Sequence, residues 1–215
     1  MMEQIEILDS MLRKDGLSVE RLEALSYHSQ LGINLKKNLH HFDREELFEE
    51  LWAVNDWYDD NDLLQGMVID YRVKSLQSIQ DKYERYYPDH QLRKVFDDLL
   101  GFRCLCDNYE QVFKLAGIDK IRVADMSQGK AHDDGYRGVH VYYQKSEIHY
   151  PIEIQYNTYI DRQLNNWLHS YLYKKNYPDA VGCEMRKYYE AGKIRTEADF
   201  KEVLENVLSG SEECR

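Results

Sequence analysis

The sequence predicts an α/β (α+β) protein: a mixed β-sheet surrounded by helices, with helical extensions at its N-terminal and C-terminal ends. Three observations lead there. Apolar residues recur at helical spacing through roughly the first seventy residues and again after Thr158. Between these regions, the runs LLGFRCLC, YRGVHVYY and YPIEIQY have the length and the β-branched or aromatic content of strands. Only three prolines and eleven glycines occur in 215 residues, which leaves no room for a long flexible linker. One folded unit is therefore expected, made of an N-terminal helical extension over 1–70, a core over 71–175 and C-terminal helices over 176–215.

Taken in order, Ile5, Leu8, Met11 and Leu12 share a helical face, and Gly16 is the expected stop. Ser18 suits the N-cap of a second helix running to about Gly32, and a third begins near Asp43 with Leu47, Leu51 and Trp52 on one face. Residues 63–87 keep the helical pattern while becoming dense in cations and hydroxyls. LLGFRCLC, over 99–106, reads as a buried strand, followed by a helix through Tyr109, Val112, Phe113 and Leu115 that ends at Gly117. YRGVHVYY and YPIEIQY are two further strands joined across QKSEIH. A long amphipathic helix then runs from Thr158 to Pro178, two last helices occupy 184–191 and 197–208, and 209–215 is expected to fray.

Composition narrows the function class. Hydrophobic residues at 43% and charged residues at 31% suit a globular chain. No run reaches the roughly 18 apolar residues of a membrane span, and MMEQIEILDS lacks the basic-then-apolar order of a signal peptide. A cytoplasmic protein with no membrane partner is expected. Cys104 and Cys106 alternate on one strand face, and no second ligand pair has the spacing for zinc. The net charge of −11 argues against wholesale, sequence-blind binding to nucleic acid, but leaves room for a local basic patch.

Four stretches hold polar residues where packing would ask for apolar ones. Arg72 precedes Lys74, Ser78 and Lys82, which on a helix are spaced four apart and line up along one face. Such a row suits a polyphosphate, although a solvated helix face has the same pattern. Asp98, Gly101 and Arg103 stand at the entry to an apolar strand, where a carboxylate either caps a turn or binds a hard cation. In GYRGVH, over 135–140, a glycine-flanked tyrosine either stacks on a base or lies on the surface beside a turn. In EIQ, alternation puts Glu153 and Gln155 on one strand face, a second carboxylate for metal or proton.

The patterns R-x-K-x-x-x-S-I-x-x-K over 72–82, D-x-x-G-x-R over 98–103, GYR-x-x-H over 135–140, E-x-Q over 153–155 and H-x-x-x-Y-K over 169–174 follow one another. In order and spacing they resemble the RelA/SpoT synthetase family, and in its size the chain is similar to that family's small, single-domain members. The resemblance implies a nucleotidyltransferase-like fold and a magnesium-dependent pyrophosphokinase that moves the β,γ-diphosphate of ATP onto a ribose 3′-hydroxyl. It implies that Arg72 and Arg103 sandwich adenine and that Lys74, Ser78 and Lys82 hold the ATP phosphates. Asp98 and Glu153 would bind Mg²⁺, with Glu153 also deprotonating the acceptor hydroxyl. Tyr136 would stack on the acceptor base, with Arg137, His140 and Gln155 beside it, while His169 and Lys174 support the site.

The acceptor half departs from the pattern of members that make guanosine alarmones. Lys130 stands further from Gly135 than their lysine does, Gly138 replaces a serine, and Asn157 replaces the arginine before Thr158. This looks more like the toxic members, which pyrophosphorylate the 3′ CCA end of tRNA, inhibit translation and are paired with a neutralising antitoxin protein. Lys36, Lys37 and Arg122 are the candidate tRNA contacts, with Lys193 and Arg195 as weaker ones. The alternative is a small alarmone synthetase that uses GDP or GTP. A catalytically dead binding module is disfavoured by the presence of both Asp98 and Glu153, since buried carboxylates are costly when unpaired.

Overall fold

The structure is a computed structural model that describes residues 2–175 and 177–212. It contains the α+β architecture the sequence predicts: a mixed five-stranded sheet with helices before, between and after its strands. The strands are β1 (Asp70–Val73), β2 (Leu100–Leu105), β3 (Ile121–Asp125), β4 (Val139–Tyr143) and β5 (Ile152–Asn157), in the spatial order β1-β2-β5-β4-β3. β5 is thus the central strand, which is why Ile152, Ile154 and Tyr156 are all buried. The chain divides into two compact units, the first over Met1–Cys104, Glu110–Val123 and His140–Gln155, the second over Leu105–Tyr109, Ala124–Val139 and Tyr156–Arg215.

The first unit opens with α1 (Met2–Lys14) and α2 (Val19–Ala24), the latter capped by Ser18, which accepts from the Arg21 amide. α2 stops well short of Gly32. Beyond it the main chain bonds elsewhere, with Ser29 N donating to Ile148 O, Leu35 N to Glu147 O and Tyr150 N to Tyr27 O. In α3 (Arg44–Asp59), Asp43 accepts from two first-turn amides, and Leu47, Leu51, Val54 and Tyr58 are buried at helical spacing. Glu50 on this helix is buried yet satisfied, accepting from Ser29 Oγ at 2.7 Å and Tyr150 Oη at 2.7 Å.

The expected single helix over 63–87 is corrected to three pieces: α4 (Asp62–Gln65), β1, and α5 (Leu76–Tyr86). β1 exists because it pairs antiparallel with β2, a partner thirty residues away that no local pattern reveals. Ser75 caps α5, and Tyr87 takes an extended conformation ahead of Pro88. α6 (Leu92–Val95) leads into β2, and α7 (Glu110–Phe113) gives way to turns that end at Gly117, whose φ is +86°. β3 had no counterpart in the sequence reading.

In the second unit α8 (Tyr159–Tyr171) is capped by Thr158, which accepts from the Asp161 amide and donates to the Asp161 carboxylate. It ends before Pro178, which instead precedes α9 (Asp179–Glu190) as its N-cap residue. α10 (Glu197–Glu212) continues through residues expected to fray, and 213–215 lie outside the described residues. Leu164, Leu168, Val181, Met185, Phe200 and Leu204 form the core of this unit. No described helix is long and apolar enough to cross a membrane.

Candidate active site

Within the first unit, the β1–β2 ladder sets Arg72 opposite Gly101 and Asp70 opposite Arg103. All four therefore lie on one face of the sheet, with Arg72 and Arg103 as diagonal neighbours about 7–8 Å apart. Arg103 Nη1 lies 3.4 Å from Asp70 Oδ2. Gly101 lies against Glu153 of the neighbouring strand, and a Cβ there would come 3.3 Å from Glu153 Oε2.

At the start of β2, ammonium and carboxylate groups converge. Lys74 Nζ lies 2.6 Å from Asp98 Oδ2, Lys82 Nζ lies 3.0 Å from Asp98 Oδ1, and Lys82 also lies 3.4 Å from Asp97 Oδ1. The expectation of one helical face carrying Lys74, Ser78 and Lys82 is corrected. Lys74 sits in the link between β1 and the Ser75 cap, where its amide donates to Leu99 O. It meets Lys82 at Asp98 by tertiary placement rather than by helical periodicity. Ser78 stays in the first turn of α5, accepting from Ser75 Oγ at 2.9 Å.

The electrostatics of this cluster follow from burial opposed by charge. Burial pushes the Asp98 carboxyl up, but Lys82 and then Lys74 outweigh it and hold Asp98 below its ordinary value. Burial works against the Lys82 ammonium too, and Asp98 and Asp97 together keep it above its ordinary value. Asp97 is raised, because burial there exceeds what Lys82 and Arg122 offset. Glu153 is lowered: burial is overcome by the hydrogen bond and charge of His140, whose Nδ1 lies 2.8 Å from Glu153 Oε1. Gln155 Nε2 donates to Glu153 Oε2 at 2.6 Å. Both oxygens of Glu153 are thereby fixed, and His140 acts on Glu153 as well as standing on the strand that follows Tyr136.

Asp97 was missed by sequence reasoning, although the Asp97–Asp98 doublet was in view. Arg122 Nη2 binds Asp97 Oδ2 at 2.6 Å, and its guanidinium lies 3.7 Å over the Tyr142 ring. Burial and the charges of Asp97 and Glu153 push the Tyr142 hydroxyl far up, so it stays protonated. On the side of Arg122 is a cleft of about 170 Å³ lined by Arg93, Lys94, Lys120, Arg122, Tyr142 and Gln144, among others. Lys36 and Lys37 lie in a turn whose backbone is bonded to the neighbouring segment, with Leu92 N donating to Lys37 O and Arg93 N to Leu35 O. Lys36 is ion-paired with Glu147.

In the second unit the loop before β4 carries the remaining candidates. Arg137 is bound by both guanidinium nitrogens to Asp133, at 2.7 and 2.9 Å. Its carbonyl accepts from Asn157 Nδ2 at 2.9 Å and Asn165 Nδ2 at 2.7 Å. Lys130 reaches Tyr136 despite its displacement in sequence, with Nζ 4.9 Å from the ring centre and 2.6 Å from Asp134 Oδ2. Gly138 and Asn157, the two departures from the guanosine pattern, touch. A Cβ on Gly138 would lie 2.5 Å from Asn157 Nδ2 and 2.8 Å from Tyr136 Oη. A Cβ on Gly135 would run into Gly182 O and one on Gly182 into Asp134 O, and Arg186 Nε donates to Gly135 O at 2.9 Å. His169, near the end of α8, lies edge-on to Tyr173 at 6.5 Å, and Lys174 is exposed.

Among the described residues no group of three or more His, Cys, Asp or Glu side chains is placed to hold a metal by itself. The first unit instead balances two ammonium groups on two carboxylates beside a sheet face carrying two arginines. Residues 71–177 match the family described as the region found in RelA / SpoT proteins. The chain belongs to the RelA/SpoT family, and is a pyrophosphokinase.

No curated protein matches the chain. Among solved structures, it is similar to the small alarmone synthetase 1 from Bacillus subtilis at 25% identity, covering 79% of this chain and 92% of that one with a TM-score of 0.40. The same protein bound to its product pppGpp matches at 21% identity over 78% and 92%, with a TM-score of 0.41. A GTP pyrophosphokinase family protein from Streptococcus pneumoniae matches at 21% over 80% and 90%, with a TM-score of 0.39.

Proposed function

We propose that the chain transfers the β,γ-diphosphate of ATP to the ribose 3′-hydroxyl at the CCA end of tRNA, and so acts as a translation-inhibiting toxin held in check by an antitoxin protein. The single observation that carries the donor half is the convergence of Lys74 and Lys82 on Asp98, beside Glu153. Lys74 and Lys82 are the ammonium groups placed to meet the ATP phosphates, and Asp98 with Glu153 would be the carboxylates to hold a metal cation. Mg²⁺ fits the donor set, because it takes one or two hard carboxylates and draws its other ligands from phosphate and water. When bound to Asp98 and Glu153 it would neutralise charge on the transferring diphosphate.

The roles of the chain's own groups follow. Arg72 and Arg103, diagonal on one sheet face, have a spacing that suits a planar adenine between two guanidiniums. Lys74, Lys82 and Ser78 in the first turn of α5 bind the phosphates. Glu153, ionised and aimed by His140 and Gln155, accepts the 3′-hydroxyl proton. The 3′-oxygen then forms a bond to the β-phosphorus while the bond from that phosphorus to the α,β-bridging oxygen breaks. The electron pair leaves with AMP. Positioning and charge neutralisation supply the rate, as in other phosphoryl-type transfers.

For the acceptor, Tyr136 offers a stacking ring, and Arg137, His140 and Gln155 are the other acceptor residues of this reading. Lys36, Lys37 and Arg122 are the proposed tRNA contacts, while His169 and Lys174 support the fold of the site. One observation favours the alternative acceptors GDP and GTP: Lys130 still reaches the Tyr136 ring. Protein incubated with Mg²⁺ and γ-labelled ATP should label deacylated tRNA. Label appearing only in a guanosine nucleotide would overturn the tRNA assignment while keeping the pyrophosphokinase.

A further inference from the structure

The cleft beside Arg122 gathers Arg93, Lys94, Lys120 and Arg122 around one wall of Tyr142 in a protein of net charge −11. So local a concentration of cations, set against so acidic a chain, marks a site for an anion. The backbone bonds from 92 and 93 to the turn holding Lys36 and Lys37 bring that turn's segment alongside the cleft-lining segment at 93–94. A phosphodiester backbone, with one charge at each nucleotide, offers phosphates to several cations in succession.

One wall of the cleft is tied to the donor site. Arg122 binds Asp97 Oδ2 at 2.6 Å while Lys82 approaches Asp97 Oδ1 at 3.4 Å, and the Asp97 side chain is only 11% exposed. Asp97 is therefore a buried carboxylate shared between a cation of the cleft and a cation of the ATP-phosphate cluster. Withdrawing one of them makes the other harder to remove, because a buried carboxylate stripped of its last partner is costly.

We propose that the cleft binds the phosphodiester backbone of an RNA acceptor and that Asp97 makes this binding and ATP binding oppose one another. RNA phosphates draw Arg122 away from Asp97, and Asp97 then holds Lys82 back from the ATP phosphates. By linkage the antagonism is reciprocal, so bound ATP weakens RNA by the same factor. This rests on the tRNA reading above and adds to it a positioning role for Asp97 and three unassigned contacts, Arg93, Lys94 and Lys120.

The test is to titrate a non-hydrolysable ATP analogue with Mg²⁺ into the full chain, alone, with an RNA hairpin ending in CCA, and with GTP. Saturating RNA should raise the Kd of the analogue about fivefold or more. In Asp97→Asn the analogue Kd should no longer respond to RNA. Arg122→Gln should weaken RNA, lower its salt slope by about one, and remove the antagonism, which provides a second route if the Asp97 variant does not fold. RNA that binds the native chain without moving the analogue Kd would overturn the inference and leave the tRNA reading standing. Failure of RNA to bind, with GTP alone antagonising the analogue, would overturn both.

Discussion

Gly138→Ala is the sharpest probe of the acceptor loop. The added Cβ would sit 2.5 Å from Asn157 Nδ2, 2.8 Å from Tyr136 Oη and 3.2 Å from Tyr136 Cε1. Asn157 cannot yield, since it is 1% exposed and its amide is bonded to the Arg137 carbonyl. The half-buried Tyr136 ring must therefore move. Overpacking of this kind costs about 1–3 kcal/mol, and if that cost falls on the acceptor platform it lowers acceptor kcat/KM by about 5- to 150-fold. The assay is steady-state transfer to tRNA together with binding of an ATP analogue, whose Kd should stay within about twofold because the donor residues belong to a separate set of contacts. Adding Asn157→Ala removes the shortest contact and should restore part of the loss, a coupling of about 0.5–3 kcal/mol in a double-mutant cycle. Unchanged acceptor kcat/KM in Gly138→Ala would refute the claim that this contact holds the Tyr136 ring.

Glu153→Gln keeps the hydrogen bond to Gln155 but cannot take a proton, so turnover should fall by about 10²- to 10⁴-fold in a single-turnover assay while the ATP analogue still binds; retained turnover would mean that another group serves as base. Replacing Lys36 and Lys37 together by glutamate should abolish tRNA labelling and leave ATP-analogue binding intact, and unchanged labelling would remove both from the tRNA surface. The Asp133 carboxyl is lowered to about 2, first by the Arg137 hydrogen bonds. A depressed carboxyl contributes stability that is present above its ordinary value near 3.8 and lost as pH falls towards 2; solvent screening leaves about 1 kcal/mol of it. Thermal unfolding of the native chain should fall more steeply than that of Asp133→Asn across this acid range, and parallel curves would count against the pair.

Much of the site was legible because its residues fall in short motifs whose chemistry is local. Asp98, Arg103 and Glu153 could be singled out as polar residues in or at the entry to apolar strands, and Arg72 as part of a cation-rich stretch read as helical; the structure puts all four on or beside β1, β2 and β5. The N-cap at Ser18 was readable for the same reason. What was not legible depended on partners far along the chain. β1 has a polar sequence, DYRV, and becomes a strand only through its ladder to β2. The segment after α2 loses its helix to bonds from 147–150. Lys74 shares no helix with Lys82, and they meet only at Asp98. The cations of the cleft lie at 93, 94, 120 and 122, a spread that no window of sequence gathers.

The acceptor loop shows what geometry adds to a substitution seen in sequence. Gly138 and Asn157 stand nineteen residues apart and read as two separate departures, yet the Asn157 amide lies where a Cβ on Gly138 would go, with the Tyr136 hydroxyl close by. The guanidiniums of this loop are also committed. Arg137 is closed on Asp133, and Arg186 is bound to Asp161, Asn165 and the Gly135 carbonyl. Guanine is commonly read by a guanidinium that reaches O6 and N7 together, and neither of these side chains can do so without breaking buried pairs. The serine and arginine of the guanosine pattern are absent at the two positions in contact, and the arginines nearby are turned inward. These two facts together favour an adenosine ribose, such as the one that ends every tRNA, over GDP or GTP as the group that meets Tyr136.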